Sequence, residues 1–120
     1  MGKTEKVRIK KVIRYGTSSL TFYLSGKITG LPENEARCNF DDSHIKLFLS
    51  HHYCHGDKII DPMKLIPFLG IKAWVFYMIT DIAALIKSDA VVFQPNWINS
   101  KGAKIEMWFA IFFGKVIILQ

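Results

Sequence analysis

Cysteine is scarce in this sequence. Cys38 and Cys54 are the only two, and they form no C-x-x-C pair. That excludes a disulfide-framed scaffold and a thioredoxin-type redox motif. No secretory leader is recognisable either, so the expectation is free thiols in a reducing cytoplasm. His51-His52-Tyr53-Cys54-His55 is a His/Cys cluster, but no second group stands at zinc spacing. It reads as a solvated helix end, and neither a metal nor a cofactor is expected. No Walker A or dinucleotide fingerprint occurs. An uninterrupted membrane span is also lacking. Ile66 to Ile86 has about the length of one, but contains Pro67, Gly70, Lys72 and Asp81. An aspartate well inside a span is costly, so a loop followed by a buried helix is expected, with no membrane partner.

Excess charge is absent from most of the chain. The net charge is +6, but Lys3, Lys6, Arg8, Lys10, Lys11 and Arg14 against Glu5 place +5 of it in residues 1–19. The remaining residues 20–120 hold ten basic and nine acidic side chains. The domain is nearly neutral, which gives no electrostatic case for nucleic-acid binding by it. The basic segment 1–19 alternates at Lys6-Val7-Arg8-Ile9-Lys10 and could be an added edge strand or a flexible arm.

At 120 residues, half of them hydrophobic, the chain suits one domain with a real core. Leu20 to Leu24 reads as a buried strand. Ser25 to Pro32 is a polar loop carrying Gly26 and Gly30. A helix follows from Pro32 or Glu33 to about His52, then a short strand at Lys58 to Ile60. A second helix covers about Ala73 to Lys87, and a third strand Ala90 to Gln94. Pro95 to Trp97 is loop. The last helix is centred on Ile105 to Phe113, stopped by Gly114, before a strand at Lys115 to Leu119. Strict alternation of strand and helix predicts an α/β, flavodoxin-like three-layer sandwich. Its four-stranded parallel sheet has the order 2-1-3-4. Ligands of such sheets sit beyond the carboxyl ends of the strands, at the switch point. The loops there are Ser25 to Gly30 and Gln94 to Ser100.

Two carboxylates stand out. Ile105 to Phe113 is apolar on every side except for Glu106, the pattern of a buried helix. A lone acid there is expensive unless something pairs with it or uses it. Asn99 and Ser100 are candidate N-caps, and Glu106 lies about one and a half turns beyond them, near the positive end of the helix dipole. Asp81 sits in F-Y-M-I-T-D-I-A-A-L-I, on one helical stripe with Trp74, Tyr77, Met78 and Leu85. A single buried Asp is commonly just capped by a neighbour. Two acids on the helices flanking one strand point towards paired roles as nucleophile and acid. The Gly26 to Gly30 loop, with Lys27 and Thr29, could hold a phosphate or sugar through its N–H groups, or be a plain turn. Trp97 could stack on a base or cover the sheet. The faces at Trp108 to Phe113 and Trp74 to Tyr77 are apolar enough to predict a homo-oligomer.

Three segments carry a resemblance: Y-L-S-G-K-I-T-G-L-P at Tyr23 to Pro32, W-x-x-Y-M-x-x-D-I-x-x-L-x-x-S-D-A-V at Trp74 to Val91, and P-x-W-x-N-S-x-G-A-x-x-E at Pro95 to Glu106. Over about Leu20 to Leu119 the sequence resembles a small uncharacterised domain family related to the nucleoside 2-deoxyribosyltransferases. The resemblance implies cleavage or transfer of the N-glycosidic bond of a deoxyribonucleoside. It implies Glu106 as the nucleophile and Asp81 as the residue assisting proton transfer at the departing base. It also implies a sugar approaching the backbone at Gly102, and neighbours lending residues to each other's sites. Ser25, Gly26, Lys27, Thr29, Gly30, Gln94, Trp97, Asn99 and Ser100 complete the expected substrate site for a nucleoside or nucleotide. Asp89 reads as structural, at a helix-to-strand junction. The transferases usually carry an acid where Ser100 stands and a proline where Lys27 stands. Lys27, Thr29 and Ser100 suit a 5′-phosphate, so a deoxynucleoside monophosphate N-glycosidase is the alternative. A nucleotide sensor without catalysis is the third reading.

Overall fold

The computed structural model describes residues 19–65 and 74–120, and the side chains of 64, 65 and 74–76 are outside that description. The basic segment before residue 19, the loop with Pro67 and Gly70, the helix start at Ala73 and the apolar face at 74–76 therefore lie outside the described residues.

The chain runs β1 (Thr21–Ser25), α1 (Glu33–Leu49), β2 (Lys58–Ile60), α2 (Pro62–Leu65), α3 (Trp74–Lys87), β3 (Ala90–Phe93), a 3-10 helix (Pro95–Asn99), α4 (Lys101–Phe112) and β4 (Val116–Leu119). The sheet order is β2-β1-β3-β4 and every pairing is parallel. Phe22 pairs with both Ile59 and Ala90, and Ala90 with Val116, so the four strands share one register. This is the flavodoxin-like arrangement predicted from the alternation of elements.

The two faces of the sheet carry different helices. Phe22, Leu24, Ala90, Val92 and Ile118 pack with Ala36, Phe40 and Leu47 of α1. Tyr23, Val91 and Phe93 pack with Leu85 of α3 and Ala110 of α4. Central strands covered on both sides need unbroken apolar runs, and T-F-Y-L-S and A-V-V-F supply them. The N-terminal edge is tied by two acids. Asp89 Oδ2 accepts from Thr21 N at 2.8 Å, and Asp57 Oδ1 accepts from Leu20 N at 2.9 Å. Asp89 is thus structural, as its junction position implies.

Several boundaries differ from expectation for local reasons. Helix α1 ends at Leu49, before His52, because Ser50 N and Ser50 Oγ both donate to Leu47 O and the chain turns extended there. Pro95 to Asn99 is a 3-10 helix rather than an irregular loop. Gly114 does stop α4, at φ +66°, with its own N–H donating to Ile111 O and Lys115 N to Ala110 O. The larger correction concerns α4 itself, which is not a buried helix. Trp108 is 64% exposed and Phe112 70%, and only Ala103, Glu106 and Ala110 are buried. The helix lies in an outer layer, so one stripe faces the sheet and the rest faces outward. Among the described residues, no helix is long and apolar enough to cross a membrane.

Candidate active site

Helix α4 begins at Ser100, whose Oγ accepts from Ala103 N at 3.1 Å. This N-cap fixes the first turn over the carboxyl ends of β1 and β3. Glu106 then projects from the buried stripe onto β1. Residues two apart on a strand share a face, and Tyr23 and Ser25 both turn towards α4. Tyr23 Oη donates to Glu106 Oε2 at 2.5 Å, and Ser25 Oγ donates to Glu106 Oε1 at 2.6 Å. Each carboxylate oxygen is thereby held by one hydroxyl, which fixes the plane of the group.

Asp81 enters from α3 and lines the same cleft as Glu106, a space of about 470 Å³. Its Oδ1 is buried without a hydrogen-bond partner. Burial raises the Asp81 pKa from its ordinary 3.8 to about 8, and the Glu106 charge adds to the rise. Glu106 is raised to about 7 by burial, against the lowering effect of the Ser25 and Tyr23 hydrogen bonds. Tyr23 is pushed well above 10 by burial and then by the charge of Glu106, so it remains a donor. Two hydroxyls stabilise Glu106 as a carboxylate, whereas Asp81 Oδ1 has no donor and the Glu106 charge disfavours a second one beside it. The cleft therefore favours Glu106 over Asp81 as the seat of a single negative charge.

The cleft is walled by the two switch-point loops. Gly26, Lys27 and Thr29 line it from the first, and Asn99, Ser100 and Gly102 from the second. The loops are joined where Lys27 N donates to Asn96 Oδ1 at 3.1 Å and Gln94 N to Ser25 O at 2.9 Å. At Gly102 a Cβ would come 3.3 Å from Met78 Sδ, so glycine lets the first turn of α4 close on α3. Lys101, Ile28, Pro62, Tyr77 and Met78 complete the lining.

Four expected substrate residues stand elsewhere. Ser25 is wholly buried beneath Glu106 and positions it. Gly30 makes the turn at φ +90°, closed by Leu31 N donating to Ile28 O at 3.2 Å. Trp97 packs on Phe93 with ring centroids 5.6 Å apart, so it covers the sheet. Gln94 follows β3 on the α1 face and lines a different cavity. Sequence reasoning missed Tyr23. Its signal was a tyrosine in a buried strand two residues before Ser25, since a buried phenol needs a partner. Among the described residues, no group of three or more His, Cys, Asp or Glu side chains could hold a metal ion.

No curated protein matches the chain. A family model described as domain of unknown function (DUF4406) matches residues 20–119, a span that includes both loops, Tyr23 and both acids. A match over so much of the sequence shows the family, and the chain belongs to the DUF4406 domains.

Proposed function

We propose that the protein is a nucleoside 2-deoxyribosyltransferase-like enzyme that cleaves or transfers the N-glycosidic bond of a deoxyribonucleoside. One observation carries the reading: Glu106, fixed at both oxygens by Tyr23 and Ser25, shares a cleft with Asp81, a second buried acid whose pKa burial raises. In the first step a Glu106 oxygen bonds to the anomeric carbon as the carbon–nitrogen bond breaks. The electron pair leaves with the base, which takes the proton of Asp81. The product is a glycosyl ester on Glu106. In the second step water or another base attacks the same carbon, the ester bond breaks, and the proton released returns to Asp81. Two displacements give net retention, through transition states of oxocarbenium character. Tyr77, Met78 and Ile28 offer the apolar wall that a base would use.

The alternative, hydrolysis of a deoxynucleoside 5′-monophosphate, is favoured by Lys27, Thr29, Ser100 and Lys101 in the lining of the cleft, the last two at the N-terminus of α4. A non-catalytic nucleotide sensor would have no use for two buried acids in one cleft. The reading also includes self-association, because Trp108, Ile111 and Phe112 are large apolar side chains exposed on one side of α4. Such a face can pair with its own copy across a twofold axis.

The test is incubation with a panel of deoxynucleosides and their monophosphates, with and without free adenine. Chromatography then follows released or exchanged base, and mass spectrometry the peptide bearing Glu106. Base exchange supports transfer, base release from monophosphates alone supports the hydrolase, and binding with neither leaves the sensor.

A further inference from the structure

On the opposite face of the sheet from the cleft, between α1 and the carboxyl ends of β3 and β4, lies a second cavity of about 290 Å³. Carboxamides dominate its lining: Asn39, Gln94, Asn96 and Gln120, beside Ser43 and Pro95. The charged pair at its rim, Lys46 and Asp42, is joined at 3.4 Å and exposed. No uncompensated charge therefore faces the space, which argues against an ionic ligand.

Three of its polar groups have defined work. Ser43 Oγ donates to Gln120 Oε1 at 2.6 Å, and Gln120 Nε2 donates to Ser43 O at 3.1 Å. Asn96 Oδ1 accepts from Lys27 N at 3.1 Å. Gln94 is different. The residue is 2% exposed, and neither Oε1 nor Nε2 has a hydrogen-bond partner. A buried amide with both ends unpaired is unfavourable and rare in native proteins. Its seat is built for it, since a Cβ on Gly26 would fall 2.4 Å from Gln94 Cδ, 2.6 Å from Oε1 and 2.7 Å from Nε2. The amide thus lies flat on the Gly26 backbone, and only glycine there makes room.

We infer that this cavity is a second binding site, separate from the cleft, for a neutral planar ligand with a hydrogen-bond donor beside an acceptor, as on the edge of adenine. A glutamine amide pairs with such an edge through both its atoms at once. Gln94 meets the ligand by turning outward from Gly26 into the cavity, which satisfies both ends together. Pro95 supplies an apolar surface beside it. The site does not depend on the glycosyl chemistry.

The experiment is a titration of isotope-labelled Glu106→Gln protein with adenine, followed by nuclear magnetic resonance. The side-chain amide signals of Gln94 report this cavity, and the backbone signal of Gly102 reports the cleft. Saturable shifts of the Gln94 side chain are expected with adenine and not with 9-methylpurine, which has acceptors but no N–H donor. In Gln94→Met the response of the Asn39 side chain should vanish while that of Gly102 persists. The inference is overturned if adenine moves Gly102 alone, if 9-methylpurine moves Gln94 as adenine does, or if millimolar adenine leaves Gln94 unchanged, as for a cavity holding only water. The measurement on unsubstituted Gln94 stands whether or not Gln94→Met folds.

Discussion

Tyr23 and Glu106 lie 83 residues apart in sequence and are joined by a 2.5 Å hydrogen bond inside the domain. The bond links the strand that opens the domain to the helix near its end. It also sets the chemistry of the carboxylate. An O–H donated to a carboxylate favours the charged form, and this bond with that of Ser25 opposes the burial that raises Glu106.

Tyr23→Phe removes that donor and leaves the ring in the core. The Glu106 pKa should rise above about 7, and the acidic limb of the activity profile should move with it. Hydrogen bonds to charged groups contribute about 1.5–3 kcal/mol, so kcat near neutral pH should fall by about 10–100-fold. A pH series of initial rates checks both effects. An unchanged limb would mean that the phenol merely fills space.

Activity should follow a bell whose limbs belong to the pair. Glu106 must be charged and Asp81 protonated, which places the optimum between about 7 and about 8. Asp81→Asn should abolish the alkaline limb, because the group that loses its proton there is gone. Persistence of that limb would assign it to another residue.

Stability carries the same signature. Both acids have a higher pKa folded than unfolded, so the native state holds more protons. Their proton-linked stabilisation is intact below the ordinary values of 3.8 and 4.5, and is lost as pH rises towards about 7 and 8. Thermal melting should therefore weaken from about pH 5 to about pH 8. Asp81→Asn should flatten that slope and melt higher at the alkaline end. A melting temperature that rises over this range would contradict the burial of the pair.

Much of the fold was legible because strands buried on both faces need unbroken apolar runs, and L-T-F-Y-L and A-V-V-F are such runs. Glu106 was legible because it is the one charge in the apolar run Ile105 to Phe113. What was not legible is which layer covers which side chain. The apolar circumference of Ile105 to Phe113 implied complete burial, yet Trp108 and Phe112 face outward because no layer of the described residues lies over them. Gln94, in the loop after β3, is expected in the cleft from its place at the switch point. Strand parity turns it to the α1 face instead. Tyr23 read as bulk in a buried run, since its partner is fixed only when α4 docks.

The outward face of α4 should be where two copies meet. Trp108 and Phe112 are stacked with centroids 5.8 Å apart, a rigid apolar surface suited to a symmetric contact. Light scattering at micromolar concentration should give more than a monomer. A charge introduced by Phe112→Lys should shift the protein to monomer with its circular dichroism preserved. A clean monomer before substitution would remove this part of the proposal.

Glu106→Gln and Asp81→Asn separate the two acids by role. The first keeps the shape and the Tyr23 and Ser25 contacts available, but removes the attacking charge. Bond formation at the anomeric carbon exists only on the way to the transition state, so activity should fall by several orders of magnitude while ligand binding survives. Asp81→Asn should cost less, about 10²–10⁴-fold, the usual contribution of a general acid. That loss should shrink for bases that depart without protonation, since they never needed the proton. A nucleoside with such a leaving group should therefore nearly restore Asp81→Asn and leave Glu106→Gln inactive. If instead both variants lose activity equally for every leaving group, Asp81 does not deliver a proton. Its raised pKa would then reflect burial beside Glu106 and nothing more.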